Sequence, residues 1–195
     1  MRPEAATAQP DMGGILIGIA RHAIGERLGL LDRGSTPDAN WLTEPGASFV
    51  TLHRSGTLRG CIGSLTACRP LGEDVEANAL AAAFRDPRFP PLTRVEFTDI
   101  DIEVSVLSAP EPIHPTDETQ LRTMLRPGVD GLILEYGAHR ATFLPQVWEQ
   151  LPDAADFLAH LKQKAGLPAD FWHPDMRISR YRVQAFAEPH GGGTR

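Results

Sequence analysis

Six consecutive residues, Leu58-Arg59-Gly60-Cys61-Ile62-Gly63, bring together a thiol, a guanidinium and two glycines. Cys61 is the attractive nucleophile. Arg59 lies two positions away, so on a β-strand both side chains leave the same face. A cation there would favour thiolate over thiol. His53 would supply a base if its strand brings it to that face. Glu103, on the polar side of a later strand, would act as a general base or orient His53 or His139. A second reading stands beside this one: a strand cysteine packed as a small hydrophobe, with Glu103 a solvated carboxylate or a partner of Arg59. Gly60 and Gly63 mark a close approach, either by a ligand or by a packed helix.

The second group is Arg85, Arg88 and Phe89, in the segment Asp86-Pro87-Arg88-Phe89-Pro90-Pro91-Leu92. Prolines stiffen this segment by fixing φ. The two arginines and the phenylalanine would rim a cleft that takes an anionic group or a partner peptide. The plainer alternative is a rigid connector. The histidines show no paired spacing of the kind that holds zinc, so no metal is expected. No glycine-rich dinucleotide loop, P-loop or G-x-S-x-G elbow is present, and no cofactor is expected.

These residues need elements to hold them. Met12–Leu31 carries helical spacing through Ile15, Ile19, Ala23 and Leu30. Residues 32–46 are rich in Gly, Pro, Asp and Asn and read as a loop. Residues 47–63 form a hairpin that turns at Arg54-Ser55-Gly56. A two-residue turn puts Val50 and Leu52 on the face of Arg59 and Cys61. A three-residue turn with a bulge at Gly56 shifts the register by one and gathers Val50, Leu52, Leu58, Gly60 and Ile62 on one face. The second register is favoured because it collects the aliphatic side chains, leaving Phe49, Thr51, His53, Arg59 and Cys61 on the other face. A helix follows over 73–85, with Asp74 and Glu76 near its start, where the dipole favours negative charge. Its alanine run, 77–83, allows close packing on a sheet. Ile100–Leu107 alternates as a strand. The loop 110–115 precedes a helix over 117–125 capped by Thr116. A second hairpin spans 128–144 and turns at Gly137-Ala138. A short helix from Pro145, an amphipathic helix over 153–165 and a late strand over 180–187 complete the order. Hairpins imply antiparallel pairing, so the fold class is α+β with helices packed on antiparallel or mixed sheets. Residues 1–11 read as a disordered leader, 12–187 as one domain of two lobes, and 188–195 as a flexible tail.

The formal net charge of −6 opposes non-specific nucleic-acid binding, which needs a basic face. The two cysteines, Cys61 and Cys68, are too few for a disulfide framework and fit reduced thiols in the cytoplasm. No apolar run approaches the roughly 18–20 residues that span a bilayer.

Several ordered pieces resemble the AMMECR domain family, called AmmeMemoRadiSam system protein A in bacteria and archaea. They are Phe49–Leu52, Leu58–Gly63, Asn78–Phe84 with Asp86–Leu92, Ile102–Leu107, Gly131–Leu134, Phe143–Trp148, and Lys164–Pro168 with Trp172. Together they cover about residues 13–187. The Leu58–Gly63 stretch and the Asp-Pro-Arg-Phe segment, at this separation, are the specific part. The resemblance implies a two-lobed α+β protein that acts with a Memo-type protein and a radical S-adenosylmethionine enzyme. It brings no assigned activity. Two functions therefore stand: a binding or accessory component, or an enzyme subunit using Cys61 as nucleophile or acceptor with Arg59 steadying an anion.

Overall fold

The computed structural model describes residues 12–32, 34 and 38–188; the expected leader over 1–11 and nearly all of the expected tail lie outside them. The chain divides into two compact units, one built from residues up to Val106 together with those from Ala185, the other Leu107–Gln184. The fold is α+β.

The first unit is a sheet with helices on one face. Helix α1 is Met12–Arg27, and the short α2, Asn40–Thr43, interrupts the expected loop. Strands β1, Pro45–Arg54, and β2, Thr57–Gly63, form the expected hairpin. A two-residue strand β3, Arg69–Pro70, pairs with the start of β1 and leads into helix α3, Leu71–Phe84. Strand β4 is Ile100–Leu107, and β9, Val183–Ala187, completes the sheet order β2-β1-β4-β9. The core lies between this sheet and the helices: Leu16, Ala20 and Ile24 of α1, Val75, Ala79 and Ala82 of α3, and Val50, Leu52, Ile102 and Val104 of the strands. The alanines of α3 let its backbone come close to β2, as their size predicts.

Asp74 does not serve chiefly as a charge at the start of α3. It turns inward and is 1% exposed, where its carboxylate accepts from the Ser48 N–H at 2.8 Å, the Ser48 hydroxyl at 2.7 Å and the Ser64 hydroxyl at 2.6 Å. Asn78, one turn on, donates to Asp74 Oδ2 at 2.9 Å and to the Ser48 carbonyl at 3.0 Å. Every buried polar atom of this group has a partner, so it ties helix to hairpin without an unsatisfied group.

The second unit has its own sheet and core. Its strands are β5, Glu111–Ile113, β6, Gly131–Tyr136, β7, His139–Phe143, and β8, Arg177–Tyr181, in the order β5-β8-β6-β7. Every pairing in it is antiparallel. Helices α4, Glu118–Met124, and α5, Ala154–Lys164, supply Leu121, Phe157, Leu158 and Leu161 to the core. Asp117, not Thr116, caps α4, accepting the Gln120 N–H at 2.7 Å. The second hairpin turns at Gly137 with φ +56°, as expected. The single late strand read from 180–187 is two strands, β8 and β9, that belong to different sheets. An alternating run has the same period on both sides of such a break, so periodicity alone does not reveal it.

Candidate functional site

The β1–β2 hairpin closes with a two-residue turn. Ser55 has φ +52° and Gly56 φ +75°, the left-handed pair of a type I′ turn. Arg54 therefore pairs with Thr57 and His53 with Leu58. The register then slips: Leu52 faces Gly60, which leaves Arg59 as an extra residue on β2. Beyond this bulge Thr51 pairs with Cys61, Val50 with Ile62 and Phe49 with Gly63. The expected division of faces at 49–52 and 60–63 is present. It arises from a bulge at Arg59 rather than a longer turn at Gly56. Leu58, expected on the aliphatic face, pairs with His53 instead and is exposed.

The bulge also decides what Arg59 does. Its side chain is buried, and its Nε–H donates to Glu96 Oε1 at 2.9 Å. Nη2 donates to Glu96 Oε2 at 3.2 Å and to the Pro90 carbonyl at 2.9 Å. None of its hydrogen bonds goes to Cys61. The guanidinium carbon sits 5.8 Å from the centre of the Phe89 ring, and Nη1, also buried, has no hydrogen-bond partner among the described residues. Glu96 opens a 3-10 turn, Glu96–Thr98, and also accepts from the N–H and hydroxyl of Thr93, both at 2.9 Å. The Arg59 bond is the main cause that holds the Glu96 carboxyl down at about 2.

Cys61 meets the proline-rich segment through its main chain. β2 is an edge strand, so the Cys61 N–H and C=O have no neighbouring strand on the outer side. Asp86 Oδ2 accepts the Cys61 N–H at 2.9 Å, and Arg88 Nη2 donates to the Cys61 carbonyl at 3.1 Å. Arg88 also grips Asp86, from Nε to Oδ1 at 2.9 Å and from Nη2 to Oδ2 at 2.7 Å. Two side chains thus take the place of a neighbouring strand. Arg88 is the first cause that keeps the Asp86 carboxyl far below the ordinary carboxylate range, and the Cys61 N–H adds to it. In return the pair raises the Arg88 guanidinium, with a smaller contribution from Cys61. The cation beside Cys61 is therefore Arg88, which the sequence placed in the other group.

The Cys61 thiol itself is half-buried, and Thr51 Oγ1 donates to its Sγ at 3.4 Å. His53 lies two residues along β1 on the same face and makes no side-chain hydrogen bond among the described residues. The side chain of Glu103 makes none either, and neither group is hydrogen-bonded to Cys61 among the described residues. Arg85 is exposed and unpaired among the described residues. Gly60 has a packing reason: a Cβ there would lie 2.3 Å from the Ala82 carbonyl oxygen of α3. Gly63 has another: a Cβ would lie 2.2 Å from the Phe49 ring. Sequence reasoning missed Glu96 and Asp86 as partners, and Thr51 as the donor to the thiol. The signal available for Asp86 was its fixed place before Pro87-Arg88, since a short acid in a rigid turn can reach a strand edge.

A family model, AMMECR1, matches residues 17–186. The chain belongs to the AMMECR1 family. A protein of Methanothermobacter thermautotrophicus is 43% identical over 186 residues, which cover 91% of this chain and 95% of that protein. One from Sulfolobus acidocaldarius is 44% identical over 189 residues, 91% of this chain and 82% of its own length. The crystal structure of an uncharacterized protein from Pyrococcus horikoshii superposes with a TM-score of 0.73 at 37% identity, covering 90% of this chain and 91% of that one. In this AMMECR1-family chain the two stretches that carried the resemblance, Leu58–Gly63 and Asp86–Leu92, are a single interlocked unit. Among the described residues no helix is long and apolar enough to cross a membrane.

Proposed function

We propose that this chain is a binding, accessory component that acts in the cytoplasm with a Memo-type protein and a radical S-adenosylmethionine enzyme. Its docking surface is the half-open face around Cys61 together with the Arg88-Phe89 turn. The supporting observation is the state of the two arginines: Arg59 is taken by Glu96 and Arg88 by Asp86. Each guanidinium is thus charge-paired with a carboxylate, with Nη1 of Arg59 left unpartnered, and no base is hydrogen-bonded to the thiol among the described residues. What the arrangement does provide is a rigid presentation of Arg88, Phe89 and the strand edge. Rigid surfaces bind with less ordering cost.

The second reading, Cys61 as a thiol acceptor, draws on the Thr51 bond to Sγ and on the clamp that fixes the Cys61 main chain. Co-purification with tagged partners separates the two. Arg88→Ala loses the partners and Cys61→Ser keeps them if the surface docks. The opposite pattern, with both variants folded by circular dichroism, supports the acceptor.

A further inference from the structure

Arg59 holds donors that the fold does not use. Its Nε–H and Nη2 bond Glu96, and Nη2 also bonds the Pro90 carbonyl. Nη1 is left without a partner among the described residues, on a side chain that is nine-tenths buried. The acceptors nearby are already engaged. Glu96 Oε1 takes Arg54 Nη1 at 3.2 Å as well as Arg59, and Oε2 takes the N–H and hydroxyl of Thr93. The Asp86 carboxylate takes the Cys61 N–H and Arg88. Two guanidiniums therefore share the one largely buried carboxylate of Glu96, while Asp99, the second partner of Arg54, is 55% exposed. The positive charge at Arg59 is incompletely matched. Against it lies the half-exposed Phe89 ring, its centre 5.8 Å from the Arg59 guanidinium carbon and 5.5 Å from that of Arg88.

We propose that Phe89 is a movable cover and that Arg59, once uncovered, binds through Nη1 one carboxylate of an acidic side chain on the docking partner. This rests on the docking surface proposed above and names the group that the surface recognises. A buried charged donor without an acceptor is unfavourable, and a carboxylate oxygen relieves it with a charge-assisted bond. That bond is stronger than the contact between guanidinium and ring that it replaces. Turning the ring out needs rotation of one side chain, which the fixed φ of Pro90 does not oppose. A neutral carbonyl fits less well, because it leaves the charge unmatched. Phosphate also fits less well, because its oxygens call for more donors than the Nη1 group retains.

Nuclear magnetic resonance of the full chain, with 15N-labelled arginine, tests this without any partner protein. The probe is N-acetyl-aspartate methylamide, which carries one carboxylate. The signal is the Arg59 Nε–H, assigned by its loss in Arg59→Lys. The expected result is a saturable shift in the millimolar range that the asparagine analogue, and sodium chloride at equal ionic strength, do not produce. Phe89→Ala should tighten binding by about tenfold. If a thermal melt shows that variant unfolded, Phe89→Leu, which keeps an apolar side chain without the ring, should tighten it in the same direction. No saturable shift in wild type or in the folded Phe89 variant overturns the proposal and leaves Nη1 to an ordered water only. Equal binding of the asparagine analogue, tighter binding of inorganic phosphate, or no gain in the Phe89 variant also overturns it. Probe binding together with partners retained by Arg88→Ala would sink the docking surface and keep the carboxylate site. Partners lost in Arg88→Ala with no probe binding would do the reverse.

Discussion

Asp86 and Cys61 are joined through the main chain, the Asp86 carboxylate accepting the Cys61 N–H at 2.9 Å on the open side of β2. The bond makes a strand edge and a proline-stiffened turn into one unit. Arg88 completes it by donating to the carbonyl of the same cysteine. Asp86→Ala removes the acceptor and leaves the Cys61 N–H short of a partner. The expected loss is about 1–3 kcal/mol of folding stability, read from urea unfolding. Asp86→Asn retains an acceptor oxygen and should lose less.

Acid should weaken the clamp. Asp86 and Glu96 both have folded-state values depressed below their ordinary ones, 3.8 and 4.5. A depressed carboxyl contributes stability that is present above its unfolded value and lost as the pH falls through the folded one. For Glu96 that window runs from 4.5 down to about 2. Unfolding midpoints followed across this window should fall steeply in the wild type. In Glu96→Gln the fall should be shallower, because that titration is gone.

The glycines separate by what surrounds them. Gly60→Ala forces a Cβ against the Ala82 carbonyl oxygen, where the contact would be 2.3 Å. Overpacking of this kind costs about 1–3 kcal/mol. Gly18→Ala, in the middle of α1 with nothing within 4 Å of the new atom, should instead stabilise by roughly 0.5–1 kcal/mol. Thermal melts of the two variants should move in opposite directions.

The two cysteines should label in a definite order. Cys68 is exposed, whereas Cys61 is half-buried and has no base bonded to it. With iodoacetamide near neutral pH, mass spectrometry should find Cys68 modified first. Faster labelling of Cys61 would favour the acceptor reading.

Much of the fold was legible because its signals are local. The alternation of Ile100, Ile102 and Val104 and the alanine run of α3 each specify an element without distant partners. The site was legible in part. Periodicity placed Cys61 on the face opposite Val50 and Leu52, but the bulge that sets this register is a one-residue slip with no sequence signal of its own. Arg59 finds Glu96, 37 positions on, and Cys61 finds Asp86, 25 positions on. Pairs at such separations depend on how the connector folds back, which spacing does not encode. The reading of Asp74 in the first turn of α3 holds but was incomplete for a related reason: an acid there satisfies the dipole rule whether it faces solvent or, as here, Ser48 and Ser64.

The central claim is that the Cys61 strand docks partners rather than performs chemistry. Co-expression with the Memo-type protein and the radical enzyme, followed by comparison of the small-molecule products from wild type and Cys61→Ala, tests it most directly. The account predicts the same products in the same amounts from both, with Arg88→Ala reducing them. Loss of product in Cys61→Ala while the complex still co-purifies would contradict it.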